Sequence, residues 1–399
     1  MEEEGIRFSV SKDVFYNPQM RLCRSISSLA VGAIGEKLEV VDAFCASGIR
    51  GFRYAKENRN VSKLTSLDIE KKAITLARKN AKAGKIPSSR FAAVCANISR
   101  AAFELDADFL EIDPFGTPAP YLVDAFRFFN TKKSAYLSVT ATDVAVLCGG
   151  RTAACMKNYH SKPLNNEFTH ETGLRIMLKK LAETAAEFNM GMTPLISFSD
   201  KHYLKSVLKV ERSADKAYSA MKSIGHVSYC WKCGWRGSGK FPERCGNRMN
   251  KEGETKTGHP RSPRAIGGEE KATEADAGPD AGDRVQETDY AGPLWAGELH
   301  DPGFLRAMAK LNSERDYSDR QQISRMLSLM EGEAGMPPYY YDVHSMCRTL
   351  EMHSVPSMEA VLDKLHKDGH RAVRTHFSPL GVKTDAPYES VAEAVRWKG

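Results

Sequence analysis

The sequence predicts an α/β fold followed by a smaller α+β unit, and three observations lead there. From residue 38 to residue 210, short apolar runs alternate with stretches of good helix formers. Runs of that kind, each followed by a helix, are the pattern of a parallel sheet covered on both faces. Two of the runs end in an acid, Asp42 and Asp68, and the first leads into a glycine-bearing turn. The pattern then breaks at residues 250–289, which are rich in Gly, Pro and charged residues and hold no aromatic residue.

The elements follow in order. Residues 38–41 form the first predicted strand, and a helix over Ile49–Glu57 follows the turn at Gly48. A second strand, 64–67, ends at Asp68 and leads into a helix over 70–83. Strands Phe91–Cys95, Phe109–Ile112 and 136–139 continue the series. Residues 170–189 carry Leu174, Met177, Leu178 and Leu181 at helical spacing. Residues 195–198 and 203–210 then read as a closing strand pair around Asp200.

Near Ile224 the character changes, and Cys230-Trp231-Lys232-Cys233 opens a short knuckle. Residues 250–289 cannot bury enough apolar surface to offset the entropy of ordering them, so they read as a disordered insertion. Order resumes at Gly292-Pro293-Leu294-Trp295, with helices expected near 304–312, 319–331 and 357–368 and strands near 339–343 and 371–375. The expected organisation is therefore 1–223 as the α/β domain with an N-terminal extension, 224–249 as the knuckle, 250–289 as the insertion, and 290–399 as the α+β domain.

The chain has 399 residues, long enough for a full core in either half. Hydrophobic residues make up 42% and charged residues 27%, an ordinary globular balance. No run of about 18 apolar residues and no leader-like start is present, so the expectation is a soluble, cytoplasmic protein with no membrane partner. A net charge of +7 leans toward a polyanionic partner, because clustered Lys and Arg gain from phosphate counterion release. The nine cysteines lie mostly in apolar stretches and read as reduced core thiols.

Two motifs carry chemistry. The first, Asp42-Ala-Phe-Cys-Ala-Ser-Gly48-Ile-Arg50-Gly51, ends the first strand. Its glycines let backbone approach a ligand closely at a helix N-terminus, in the crevice beyond the strand ends. Asp68, ending the next strand, stands where an acid hydrogen-bonds ribose hydroxyls in nucleotide-binding α/β folds. A full G-x-G-x-x-G fingerprint is missing, which argues against a dinucleotide.

The second motif, Asp113-Pro114-Phe115-Gly116-Thr117-Pro118, follows an apolar strand. An exocyclic amine on a nucleobase is a poor nucleophile, because its lone pair is delocalised into the ring. Methylating it requires that lone pair to be freed and aimed, which is largely positioning. A carboxylate and a neighbouring backbone carbonyl can accept the two amine hydrogens, and an aromatic ring can stack on a base turned out of its helix. Asp113, Pro114 and Phe115 are thus the candidate catalytic residues.

With these motifs the chain resembles the archaeal and eukaryotic tRNA (guanine-26, N2)-dimethyltransferase family. The resemblance also takes in Tyr16-Asn17-Pro18-Gln19-Met20, Val139-Thr140-Ala141-Thr142-Asp143, His170-Glu171-Thr172-Gly173-Leu174-Arg175, Ser199-Asp200-Lys201-His202-Tyr203, Arg374-Thr375-His376-Phe377 and Lys383-Thr384-Asp385-Ala386-Pro387. It implies a class I, Rossmann-like methyltransferase domain that uses S-adenosyl-L-methionine and acts on tRNA. It implies cofactor contacts from Arg24, Asp42, Gly48, Arg50, Asp68, Ala96 and Asn97. Arg24 would suit the methionine carboxylate, since guanidinium pairs with carboxylate bidentately.

The chain departs from the family pattern in two places. Cys23-Arg24-Ser25 stands where the family usually has Asn-Arg-Asp, so the arginine lacks its adjacent carboxylate. The family often carries two Cys-x-x-Cys pairs, whereas here Cys230 and Cys233 are followed only by Cys245, with Pro242 in the matching place. Structural zinc takes four ligands. These three cysteines are the candidate metal ligands, the fourth is missing, and a zinc-free knuckle is expected. Two other functions fit the motifs: amino methylation of a different RNA or DNA base, and a non-catalytic RNA-binding protein with a worn methyltransferase core.

Overall fold

A computed structural model describes residues 1–246 and 288–397. A hairpin of β1 (Glu2–Glu3) and β2 (Ile6–Arg7) precedes α1 (Arg21–Ala33), a helix not among those expected above although Leu22, Cys23, Ile26, Leu29, Ala30 and Ala33 recur at helical spacing. Its serines are poor helix formers, but Ser25, Ser27 and Ser28 are buried and bonded to Arg53, Arg50 and Glu57 of the next helix.

The strand and helix series then runs β3 (Leu38–Ala43), α2 (Ile49–Glu57), β4 (Val61–Asp68), α3 (Lys71–Ala83), β5 (Phe91–Cys95), α4 (Ile98–Glu104), β6 (Phe109–Ile112), α5 (Leu122–Arg127) and β7 (Ser134–Ala141). Three helices, α6 (Val144–Leu147), α7 (Thr152–Tyr159) and α8 (Thr169–Glu187), lead to the long hairpin of β8 (Met190–Asp200) and β9 (Tyr203–Arg212). The seven strands pair in the order β5-β4-β3-β6-β7-β9-β8. Only β9 runs against its neighbours. The order reverses between β3 and β6, the switch point where open α/β sheets bind ligands.

Adjacent residues of the central strands enter opposite cores, as the two-residue period of a strand requires. Val40 and Phe109 join the core shared with α1 and α2, and Val41 and Leu110 join the core beneath α8. Both faces are therefore covered, as the continuous apolar runs predict.

After α9 (Ala214–Lys222), β10 (Ile224–Cys230), β11 (Arg236–Gly239) and β12 (Thr288–Trp295) form a three-stranded sheet against α8. The expected insertion at 250–289 lies outside the described residues except at its end. Thr288 and Asp289 belong to β12, where Thr288 pairs with Cys230 and Asp289 meets the Lys162 ammonium at 2.5 Å.

Of two helices beyond the composition break, α10 (Pro302–Glu314) packs onto α1 and α11 (Arg320–Gly332) onto α10, and their Leu305, Met308, Ile323 and Leu327 enter the first unit's core. A third core gathers β13 (Tyr341–Asp342), α12 (Val343–Thr349), α13 (Met358–Lys367), β14 (Ala372–Arg374), β15 (Gly381–Thr384) and α14 (Tyr388–Arg396), together with Cys230 and Cys233. The strand expected through 343 is cut short because the Asp342 side chain accepts the Ser345 N–H at 2.8 Å and caps α12. Among the described residues no helix is long and apolar enough to cross a membrane.

Candidate active site

Register places the motif loops side by side. Ala43 pairs with Leu67 and with Ile112, and Leu67 pairs with Val94. The residues that follow these four therefore emerge together at the carboxyl edge of β3, β4, β5 and β6. Those segments carry Gly48, Asp68, Ala96, Asn97, Asp113 and Phe115. The spacing along the chain differs for each, and only the parallel sheet brings them to one crevice.

The loop after β3 is held in an uncommon backbone. Phe44, Ala46 and Gly48 have φ of 62°, 47° and 82°, so alternate residues lie in the left-handed region. For the two non-glycine residues this costs about 1–3 kcal/mol each and persists only where the surroundings impose it. The imposing bonds are visible: the Cys45 N–H donates to the Leu67 carbonyl at 3.0 Å, and the Ala46 N–H to Asp68 Oδ2 at 3.0 Å. The other Asp68 oxygen accepts the Glu70 N–H at 2.9 Å. Each oxygen keeps a lone pair, and the residue is only half-buried, so the carboxylate can still accept ribose hydroxyls.

Asp42 lies beneath this loop. It is buried and accepts the Gly51 N–H at 3.1 Å; a Cβ at position 51 would stand 2.9 Å from its carboxylate oxygen. Burial, and then the charge of Glu111, push its carboxyl up to about 7 against the pull of Arg50. Asp42 thus braces the loop from below.

Arg50 grips Asp113. Its Nη2 donates to Asp113 Oδ2, and its Nη1 lies 3.7 Å from Glu111. Burial works against the Arg50 cation, but Asp113 and Glu111 outweigh it and hold the group well above its ordinary range. Glu111, fully buried one pleat below Asp113, is matched by Lys205 Nζ at 2.5 Å and by the Tyr54 hydroxyl at 2.8 Å. Asp113 itself is open at 21% side-chain exposure.

Phe115 projects from the same loop, 76% exposed. It meets Phe15, itself 55% exposed, edge to face with ring centroids 4.7 Å apart. Gly116 at φ 76° turns the loop, and its N–H donates to Thr142 Oγ1 at 2.8 Å. Thr117 bonds the Tyr159 hydroxyl, which also donates to Asp143. Phe15 and Ile69, the latter 60% exposed beside Asp68, are site residues that sequence reasoning passed over. Neither has a motif, and their signal is an apolar side chain left in water at a polar crevice.

Arg24 sits one layer deeper than an open carboxylate site would suggest. It is 4% exposed, and its Nε and Nη2 donate to Glu3 at 2.7 and 2.5 Å.

Two side-chain clusters lie elsewhere. Cys230, Cys233 and Cys245 bring their sulfurs within 4.8 Å of one another, the last two 3.5 Å apart. Burial pushes the Cys230 thiol up, but N–H groups of Cys233 and Lys232 and the neighbouring thiols outweigh it, and the group lies below its ordinary range. A low thiol among three suits a soft metal in donor type, one ligand short of a structural zinc set among the described residues.

His300, Glu333 and His376 form the second cluster. The Ser197 N–H donates to His300 Nδ1, which leaves the ring proton on Nε2, and Lys383 Nζ lies 3.8 Å from Glu333. A protonated Nε2 and an adjacent ammonium both oppose a cation. This cluster joins β8, α11 and the segment after β14 as a polar clasp.

A model of the family described as N2,N2-dimethylguanosine tRNA methyltransferase matches residues 1–396. A tRNA (guanine(26)-N(2))-dimethyltransferase of Methanobrevibacter smithii is 31% identical over 394 residues, covering 98% of this chain and 93% of that one. The enzyme of the same description from Thermococcus kodakarensis is 32% identical, covering 96% of this chain and 93% of that one. Among solved structures, Trm1 from Pyrococcus horikoshii in complex with S-adenosyl-L-methionine aligns with a TM-score of 0.82 at 26% identity, covering 99% of both chains.

Proposed function

Since the chain belongs to the N2,N2-dimethylguanosine tRNA methyltransferase family, we propose that it transfers methyl groups from S-adenosyl-L-methionine to the exocyclic N2 of guanine 26 in tRNA, giving N2,N2-dimethylguanosine. The observation that carries the catalytic reading is the pairing of a half-buried Asp113 with an exposed Phe115 on one loop at the sheet's switch point.

The crevice fits the cofactor on the chemistry of its donors. Asp68 has free lone pairs for ribose hydroxyls, Ile69 offers an apolar face for the adenine, and Ala96 and Asn97 close the adjoining strand end. Arg24 and Arg50 supply positive charge for the methionine carboxylate, and the Gly48 turn allows close backbone approach. When bound, S-adenosyl-L-methionine supplies an electrophilic methyl group on a sulfonium.

The protein's own part is positional. Phe115, backed by Phe15, stacks on the guanine. Asp113 accepts one N2 hydrogen and the Pro114 carbonyl the other, which localises the nitrogen lone pair. Arg50 fixes one oxygen of Asp113, leaving Oδ1 for the amine and for the proton it sheds. The second transfer needs fresh cofactor and an Asp113 that has passed its proton to water, and it uses the one N2 hydrogen that remains, which Asp113 accepts. The net charge of +7 suits a tRNA partner.

Nucleoside mass spectrometry of unmodified tRNA incubated with the protein and S-adenosyl-L-methionine tests this. Dimethylguanosine at position 26 is the expected product. A methylated adenine, or cofactor binding without any methylated base, overturns the reading.

A further inference from the structure

Arg24 lacks a carboxylate beside it in sequence, because Ser25 offers only a hydroxyl. The fold supplies one from far away. Glu3, on β1, is 4% exposed and takes both the Nε and Nη2 hydrogens of Arg24 side-on, at 2.7 and 2.5 Å. Its Oε1 also accepts Arg53 Nη1 at 3.2 Å, and the Tyr16 hydroxyl donates to its Oε2 at 3.1 Å. The remaining arm of Arg24, Nη1, donates to the Asn17 carbonyl at 3.2 Å. Ser25 Oγ stands 2.9 Å from the same Arg53 Nη1 that Glu3 holds. A carboxylate at position 25 would therefore enter the same cluster of guanidinium groups.

Charge matching explains why one acid is needed there. Arg53, fully buried, already has Glu57 at 2.7 Å, four residues on. Arg24 has Glu3 alone as an ion-pair partner among the described residues. A buried guanidinium without a carboxylate costs several kcal/mol, and its side chain would turn toward water or toward the wrong anion. With Glu3 in place, three of the five guanidinium hydrogens of Arg24 are committed, and one each on Nη1 and Nη2 is left over. That pair is what a second carboxylate can use.

We infer that Glu3 is the positioning residue of the cofactor's carboxylate site: it replaces, across the fold, the acid missing at position 25 and holds Arg24 ready for the methionine carboxylate. The N-terminal hairpin is thereby part of the cofactor site. This rests on the reading that Arg24 contacts the cofactor.

The test is S-adenosyl-L-methionine binding by calorimetry, with steady-state kinetics, on four full-length variants: Arg24→Ala, Glu3→Gln, Glu3→Ala, and Glu3→Ala combined with Ser25→Asp. Glu3→Ala should raise the Kd and KM for the cofactor about tenfold, the scale of a lost charge-assisted pair, while kcat at saturating cofactor moves less than about twofold. Glu3→Gln keeps the shape but replaces one accepting oxygen with an NH2 group, so it loses the charge and one of the two Arg24 bonds, and it should show the same split. Adding Ser25→Asp should bring the affinity back toward wild type. If Arg24→Ala binds the cofactor normally, the assignment of Arg24 fails. If Arg24→Ala binds weakly but Glu3→Ala and Glu3→Gln bind normally, the role of Glu3 alone fails. A double variant that binds no better than Glu3→Ala also overturns it.

Discussion

One oxygen of the Asp113 carboxylate is held by the guanidinium of Arg50, sixty-three residues earlier on the helix that follows the first motif. The loop after β3 and the loop after β6 are thus joined through this ion pair. Asp113→Ala should fold and bind S-adenosyl-L-methionine, yet transfer methyl at least ~10²-fold more slowly, the usual scale for a lost acid/base group. Single-turnover transfer to tRNA measures this, and wild-type turnover would remove Asp113 from the mechanism.

Phe115 is an exposed ring with one aromatic neighbour, so its loss should cost function and not stability. Phe115→Ala is expected to keep the wild-type Tm and to lower kcat/KM for tRNA by about tenfold or more, since base stacking is worth about 1–3 kcal/mol. An unchanged kcat/KM would place the guanine elsewhere.

Glu111 and Lys205 form a fully buried pair below the site, 2.5 Å apart. Lys205→Met should destabilise the fold by about 3–5 kcal/mol by stranding the carboxylate. Adding Glu111→Leu should recover much of that loss. Urea denaturation of the two variants checks it, and equal stability of single and double variants would contradict the pairing.

Two buried groups give opposite pH slopes. Burial, and next His376, hold His300 well below 6.5, so as pH falls through 6.5 the unfolded chain gains a proton that the folded chain does not. Stability contributed by neutral His300 is therefore present above 6.5 and declines below it. Asp42, raised from 3.8 to about 7, does the reverse: between those values the folded chain holds the extra proton, so acidification stabilises it. Between pH 5 and pH 6.5 the two contributions oppose each other, so each is read as the difference between a variant's profile and that of the wild type. Asp42→Asn should expose a decline on acidification, and His300→Gln a rise, each up to about 1.4 kcal/mol per pH unit. Parallel profiles for all three proteins would refute the assignment.

The thiol cluster sits on a core of its own, where the Tyr388 hydroxyl donates to the Cys233 carbonyl and Cys230 packs among apolar side chains. With three ligands among the described residues and this packing, treatment with a strong chelator should leave Tm and methyl transfer unchanged. A fall in Tm that zinc reverses would show that the knuckle is held by metal.

The elements that positioned the site were legible where the local pattern and the tertiary environment agree. The helix Ile49–Glu57 and the strands Phe91–Cys95 and Phe109–Ile112 run over the residues their patterns predict. Phe109–Ile112 is buried throughout, as a central parallel strand with a continuous apolar run must be, whereas Phe91–Cys95 lies at the sheet edge and is only partly covered. Asp68, Asp113 and Phe115 were legible for the same reason: each stands just past a strand end, so strand prediction alone sends them to one edge of the sheet.

Pairing between distant residues was not legible. Nothing in the chain near Arg24 announces Glu3, nothing near Asp113 announces Arg50, and nothing near the serines of α1 announces their partners on α2. Helices α10 and α11 likewise follow a break in composition yet close the first core, because α10 packs on α1 and both helices turn apolar residues into that core. Sequence by itself determined the fold class, the family and the candidate side chains at the strand ends, since these depend on period and residue type along the chain. Tertiary structure alone decided which carboxylate neutralises which buried guanidinium. Coulomb energy in a poorly solvated interior depends on distance in space, which chain spacing does not encode.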